Sequence, residues 1–86
     1  MTTESLLEFP CDFPIKVMGH HTDEFRTTVV EIVTRHTAGE EARFSTRTSR
    51  DERYLALSFT VNARSREQLD ELYRELSGSE LVLFVL

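Results

Sequence analysis

Apolar and polar positions recur along the chain with two different periods, and the switches between them mark out six elements. Over residues 12–20, Phe13, Ile15 and Val17 fall on one side and Lys16 and Met18 on the other, the period of two that a strand requires. Pro10 and Pro14 have no N–H to give to a ladder, so this strand either starts after Pro14 or runs along an exposed edge there. Over residues 23–36 the apolar positions become Phe25, Val29, Ile32 and Val33, which share one face of a helix. Thr22 is placed to cap the first amides, Asp23 and Glu24 set negative charge at the positive end, and Arg35 and His36 set donors at the other. Gly39 then supplies the left-handed residue with which helices commonly end.

Alternation resumes over residues 42–48, with Ala42, Phe44 and Thr46 opposite Arg43, Ser45 and Arg47. The turn residues Ser49, Arg50, Asp51 and Glu52 lead into residues 54–63, where Leu55, Leu57, Phe59 and Val61 alternate with Tyr54, Ala56, Ser58 and Thr60, completing a β-hairpin. Ser65 and Gln68 have the capping-box spacing, and Leu69, Leu72, Tyr73 and Leu76 follow at helical intervals up to Gly78, which closes a second helix. Residues 80–86 are apolar after Glu80, as expected of a last strand covered on both faces. Strand, helix, strand, strand, helix, strand with right-handed crossovers predicts an α+β fold. It is the ferredoxin-like βαββαβ split fold, a four-stranded antiparallel sheet with two helices on one face. Residues 1–86 form one domain in this reading, with 1–11 an extended N-terminal segment.

Composition narrows what such a domain can do. At 86 residues only one core can be filled, and a domain of this size is marginal enough that a partner or ligand would add to its stability. A net charge of −5 opposes general attraction to nucleic acid or anionic lipid. The single Cys11 excludes an internal disulfide and a cysteine-held cluster and fits a reducing compartment. No apolar run is long enough to span a membrane, and the start of the chain lacks the basic and apolar regions of a secretory signal, so the expected location is the cytoplasm. No nucleophile elbow, phosphate loop or zinc motif is present, and the expectation is a non-enzyme with no cofactor and no metal.

Three surfaces remain as candidates. Gly19, His20, His21, Thr22 and Asp23 lie where the first strand meets the first helix, a place where free amides and the helix dipole favour an anionic small molecule. The plainer account of them is that Thr22 caps, Asp23 balances the dipole and the histidines are exposed. The second candidate is the apolar surplus of the last strand: Met18, Val82, Phe84 and Leu86 would share the sheet face that no helix covers, and would meet a protein partner or a second copy in a homodimer. Alternatively Leu6, Leu7 and Phe9 fold back across that face. The third is an anion or nucleic-acid face of Arg43, Arg47 and Tyr54, against which stand the single aromatic and the net negative charge. Its arginines serve equally as the solvated edge of a strand.

The opening Leu6-Leu7-Glu8-Phe9-Pro10, followed by Phe13-Pro14-Ile15-Lys16-Val17-Met18-Gly19, resembles that of the YbeD-like family of small bacterial proteins. The likeness continues through Val30-Glu31-Ile32-Val33 with Arg35-His36, through the strand from Leu57 to Ala63, and through Glu71-Leu72-Tyr73-Arg74-Glu75-Leu76. The resemblance implies a ferredoxin-like fold related to amino-acid-binding ACT regulatory domains. To the role expected from the surfaces above, a regulatory or adaptor domain that binds a small molecule or a protein, it adds a link to lipoate metabolism through genomic association, and it brings no catalytic residues. A nucleic-acid-binding module using the open sheet face is the alternative.

Overall fold

The structure is a computed structural model that describes residues 8–37 and 43–86. Its elements are β1 (Cys11–His20), α1 (Asp23–Arg35), β2 (Arg43–Thr48), β3 (Tyr54–Ala63), α2 (Arg66–Gly78) and β4 (Val82–Val85). The strands lie in the order β2-β3-β1-β4, and each neighbouring pair is antiparallel. This is the ferredoxin-like arrangement that the element order predicts.

The core lies between the sheet and the two helices. Ile15 and Val17 from β1 and Leu55, Leu57, Phe59, Val61 and Ala63 from β3 meet Phe25, Val29, Ile32 and Val33 of α1 and Leu69, Leu72 and Leu76 of α2. The helix starts form as expected: Thr22 Oγ1 accepts from the Phe25 N–H at 3.0 Å, and Ser65 Oγ accepts from the Gln68 N–H at 3.1 Å. Gln68 departs from the simple capping box, because its Oε1 accepts from Arg64 N–H at 2.6 Å while its Nε2 donates to His36 O at 2.6 Å. One side chain therefore joins the end of α1 to the start of α2.

Several expectations are corrected. β1 begins at Cys11, inside the segment expected to be extended, and Pro14 sits within it opposite Thr60. Of the two accounts of Pro14, the exposed edge is realised. Lys16 N–H donates to Leu86 O at 3.1 Å, so the nitrogen of Pro14, two residues back, faces the same side where no β4 residue lies opposite. Phe9 packs against the helix-side core and does not cross the open face. Leu6, Leu7, Gly39 and Ala42 lie outside the described residues. Gly78 is helical with open space around its Cβ position, and the chain leaves α2 at Ser79 in an extended conformation, so the end of this helix makes no use of a glycine.

The largest correction concerns β4. Phe84 pairs with Met18 and Val85 with Val17, but Gly19 pairs with Val82, so the register slips by one residue between Met18 and Gly19. Leu83 is the extra residue of a bulge, which reverses the side on which the preceding residue falls. Val82 consequently packs on the core with Leu81 and Val85 and leaves the face to which alternation assigned it. Leu83, Phe84 and Leu86 are 48%, 45% and 67% exposed, so β4 is not covered on both sides by the described residues.

Candidate functional site

The loop after β1 is built from residues whose polar groups are largely engaged. Gly19 is buried at the end of the strand, and a Cβ there would lie 2.5 Å from both the Phe25 ring and Leu81 O. Its place in the chain is explained by close packing. Thr22 accepts from Phe25 N–H, and the His21 amide donates to Arg53 O at 2.9 Å. The His21 ring is 3.0 Å from Glu52 O, and because a carbonyl only accepts, Nδ1 carries the hydrogen. His20 instead turns to the other side of the strand and stacks on Tyr54 with centroids 5.5 Å apart. Of the five residues the sequence groups here, Gly19, His21 and Thr22 thus hold the loop to its neighbours and His20 belongs to the sheet face. Asp23 is exposed and pairs with Arg26 at 3.3 Å.

The partner of that loop is the β2–β3 tip. Ser49 Oγ donates to Asp51 at 2.7 Å and accepts from Tyr54 N–H at 3.0 Å, while Arg53 N–H donates to the same carboxylate oxygen at 3.2 Å. Hydrogen bonds from Ser49 and then Arg53 hold the Asp51 carboxyl below its usual range. Glu52 takes a positive φ of 61° there, and its carbonyl is the one that receives His21.

The face of the sheet opposite the helices has a different character. Register places Ala56, Ser58 and Thr60 of β3 along its middle, flanked by Arg47, Ser45 and Arg43 of β2 on one side and by Met18, Lys16 and Pro14 of β1 on the other. Small residues between longer ones make a trough. Its two ends are depressions of about 250 and 270 Å³, both bordered by Lys16, with Met18, Arg47 and Tyr54 at one and Ser45, Thr60 and Leu86 at the other. Phe84 beside Met18 and Leu86 beside Lys16 give the β4 side an apolar margin, and Arg43 and Arg47 give the β2 side a cationic one. Lys16, Arg43 and Arg47 have no ion-pair partner among the described residues, and Asp12 is the only acid that register puts on this face. Two groups that sequence reasoning treats as separate candidates on the open face, Met18, Phe84 and Leu86 on one hand and Arg43, Arg47 and Tyr54 on the other, are thus the two margins of one continuous surface. Lys16 is the residue that sequence reasoning passed over; its alternation with Met18 was the available signal.

The family model "Protein of unknown function (DUF493)" matches residues 4–86. The chain belongs to this YbeD-like DUF493/UPF0250 family. A UPF0250 protein of Janthinobacterium sp. is 51% identical over 85 residues, covering 98% of this chain and 93% of the relative. Another, from Paraburkholderia phymatum, is 48% identical over 84 residues, with 96% and 94% covered. Among solved structures the chain is similar to the ACT domain from GTP pyrophosphokinase of Chlorobium tepidum, with TM-score 0.62 and 11% identity over 88% of this chain and 97% of that one. It is also similar to the C-terminal domain of the MgtC protein from Mycobacterium tuberculosis, with TM-score 0.63 and 16% identity over 93% and 88%. At those identities the likeness is one of fold.

Away from both surfaces, sequence reasoning missed a cluster between the helices. Arg35 and His36, expected to serve the dipole of α1, both reach across to Glu75 of α2, with His36 Nε2–H donating to the carboxylate at 2.7 Å. Arg35 first and His36 second hold the Glu75 carboxyl below its usual range. A carboxyl depressed in the fold contributes stability that is complete above its unfolded pKa and lost as pH falls through the folded one. Glu75→Gln should therefore cost about 0.5–1 kcal/mol near neutral pH, discounted for exposure, and nothing in acid. Urea midpoints across the acid range check this; a constant difference between variant and parent would mean that the carboxylate charge is not what matters. Among the described residues no His, Cys, Asp or Glu cluster could hold a metal, and no helix is long and apolar enough to cross a membrane.

Proposed function

We propose that this chain is a non-catalytic regulatory or adaptor domain that engages a protein partner through the open face of its sheet. The observation that carries this reading is the trough along Ala56, Ser58 and Thr60, with exposed Phe84 and Leu86 on one margin and unpaired Lys16, Arg43 and Arg47 beside it. Exposed apolar side chains gain from being covered, and free cations beside them offer charges that a partner of opposite sign can pair with. The fold shared with an ACT domain is in keeping with a regulatory role. The competing reading, a small molecule at residues 20–23, has less to work with, because Thr22 and His21 already bond within the protein.

A photoreactive residue in place of Ser58, on the open face, should give one discrete protein adduct in the native bacterium, identified by mass spectrometry. The same residue in place of Glu71, exposed on α2, should give none. A parallel heteronuclear NMR titration with lipoate, lipoyl-lysine and amino acids should leave residues 20–23 unshifted. Shifts clustered there, or adducts at both positions alike, would replace the proposal with a small-molecule site or with no specific surface at all.

A further inference from the structure

We infer that the segment received by the open face is an acidic amphipathic helix of the partner, an inference that rests on the protein-partner reading above. Every strand of the face has its backbone groups turned into the sheet plane, so nothing on the face offers hydrogen bonds to an added strand. Recognition there must come from side chains, which is how a helix lies on a sheet. Three strand spacings of about 4.8 Å give the face a width of roughly 14 Å, close to the ~10–12 Å diameter of one helix with its side chains.

Charge decides the chemistry of that helix. The chain carries a net −5, yet this face presents Lys16, Arg43 and Arg47 against Asp12 alone, so it is a local exception on an acidic protein. Arg43 and Arg47 stand on the same side of β2 about 13 Å apart, four residues at the strand rise. Carboxylates two helical turns apart on the partner, about 11 Å, come within reach of both long side chains. The apolar side of the same helix would rest on exposed Phe84 and Leu86 and on half-buried Met18 beside them. A second copy of this chain does not suit, since facing copies set Arg43 and Arg47 either against their own kind or over the apolar margin of Phe84 and Leu86, and neither arrangement pairs the charges. Single-stranded nucleic acid shares the negative charge but stacks its bases on several rings, and of the rings placed on this face Phe84 alone is unstacked, Tyr54 being stacked on His20.

The test uses the full chain, isotopically labelled, with a synthetic helical peptide of Leu and Glu in amphipathic order, its Gln-for-Glu counterpart, and a short oligothymidylate. The acidic peptide should shift Lys16, Met18, Ala56, Ser58 and Phe84. Each of the variants Lys16→Ala, Arg43→Ala and Arg47→Ala should weaken it roughly two- to fivefold, less at high salt. Replacing Ser58 by the photoreactive residue remains the separate check on whether a protein binds the face at all. If adducts form there but the Gln peptide binds as well as the Glu peptide, the acidic assignment is overturned while the partner reading stands. Tighter binding of the oligothymidylate would turn the face into a nucleic-acid site, and no shift with the acidic peptide would overturn the inference outright.

Discussion

Gly19→Ala should lower the stability of this domain by about 3 kcal/mol, a large share of what a chain of this size possesses. The added methyl would sit 2.5 Å from the Phe25 ring and from Leu81 O, and neither can retreat freely. Phe25 is 1% exposed and packed in the core, and Leu81 leads into the bulge that seats β4. A thermal melt should show a fall of roughly 12–24 °C, and the residual folded protein should show loosened β1–β4 contacts in hydrogen exchange. Phe25→Leu in the same chain should restore part of the loss by clearing the ring. An unchanged melting temperature in Gly19→Ala would mean that the glycine answers to the loop after all, and would revive the ligand reading of that position.

The second large effect is expected at Gln68. Its amide accepts from Arg64 N–H and donates to His36 O at 2.6 Å and toward Asn62 O at 3.4 Å, so it ties the ends of α1, β3 and α2 at one point. Gln68→Glu keeps the shape and the acceptor while removing both donors, leaving a carboxylate facing two carbonyl oxygens. The cost should be about 2–3 kcal/mol, since partly buried groups lose their partners and gain repulsion. Gln68→Ala removes the repulsion along with the bonds and should cost less. Chemical denaturation of the pair checks the order, and equal stability of the two variants would show that the three-way tie contributes little. Because His36 also reaches Glu75, loosening its carbonyl should carry over to that pair and reduce the pH dependence described above.

Both effects sit where elements meet, which is also where reading the sequence reached its limit. The strands and helices were legible because burial on one side of each element imposes a period, and Phe25, Val29 and Ile32 or Leu55, Leu57 and Phe59 repeat it without exception. The caps at Thr22 and Ser65 were legible because they act over three residues. β4 was not, because residues 81–86 are all apolar and a run without contrast carries no phase. The bulge at Leu83 could therefore not be placed, and Val82 was assigned to the wrong face. Gly19 looked like a loop glycine because the groups it must avoid, the Phe25 ring and Leu81 O, are brought beside it only by the packing of α1 and the entry to β4 on the end of β1.

By itself, then, the sequence determined the type of each element, which depends on neighbours a few residues apart, and from their order and from likeness along the whole chain the ferredoxin-like class and membership of the YbeD-like family. Only the tertiary structure decided that Lys16 stands beside Ser58 between the cationic margin of Arg43 and Arg47 and the apolar margin of Phe84 and Leu86, and that His36 and Arg35 answer to Glu75. Those pairings rest on strand register and on the approach of two helices, contacts between residues distant in the chain that no local period encodes.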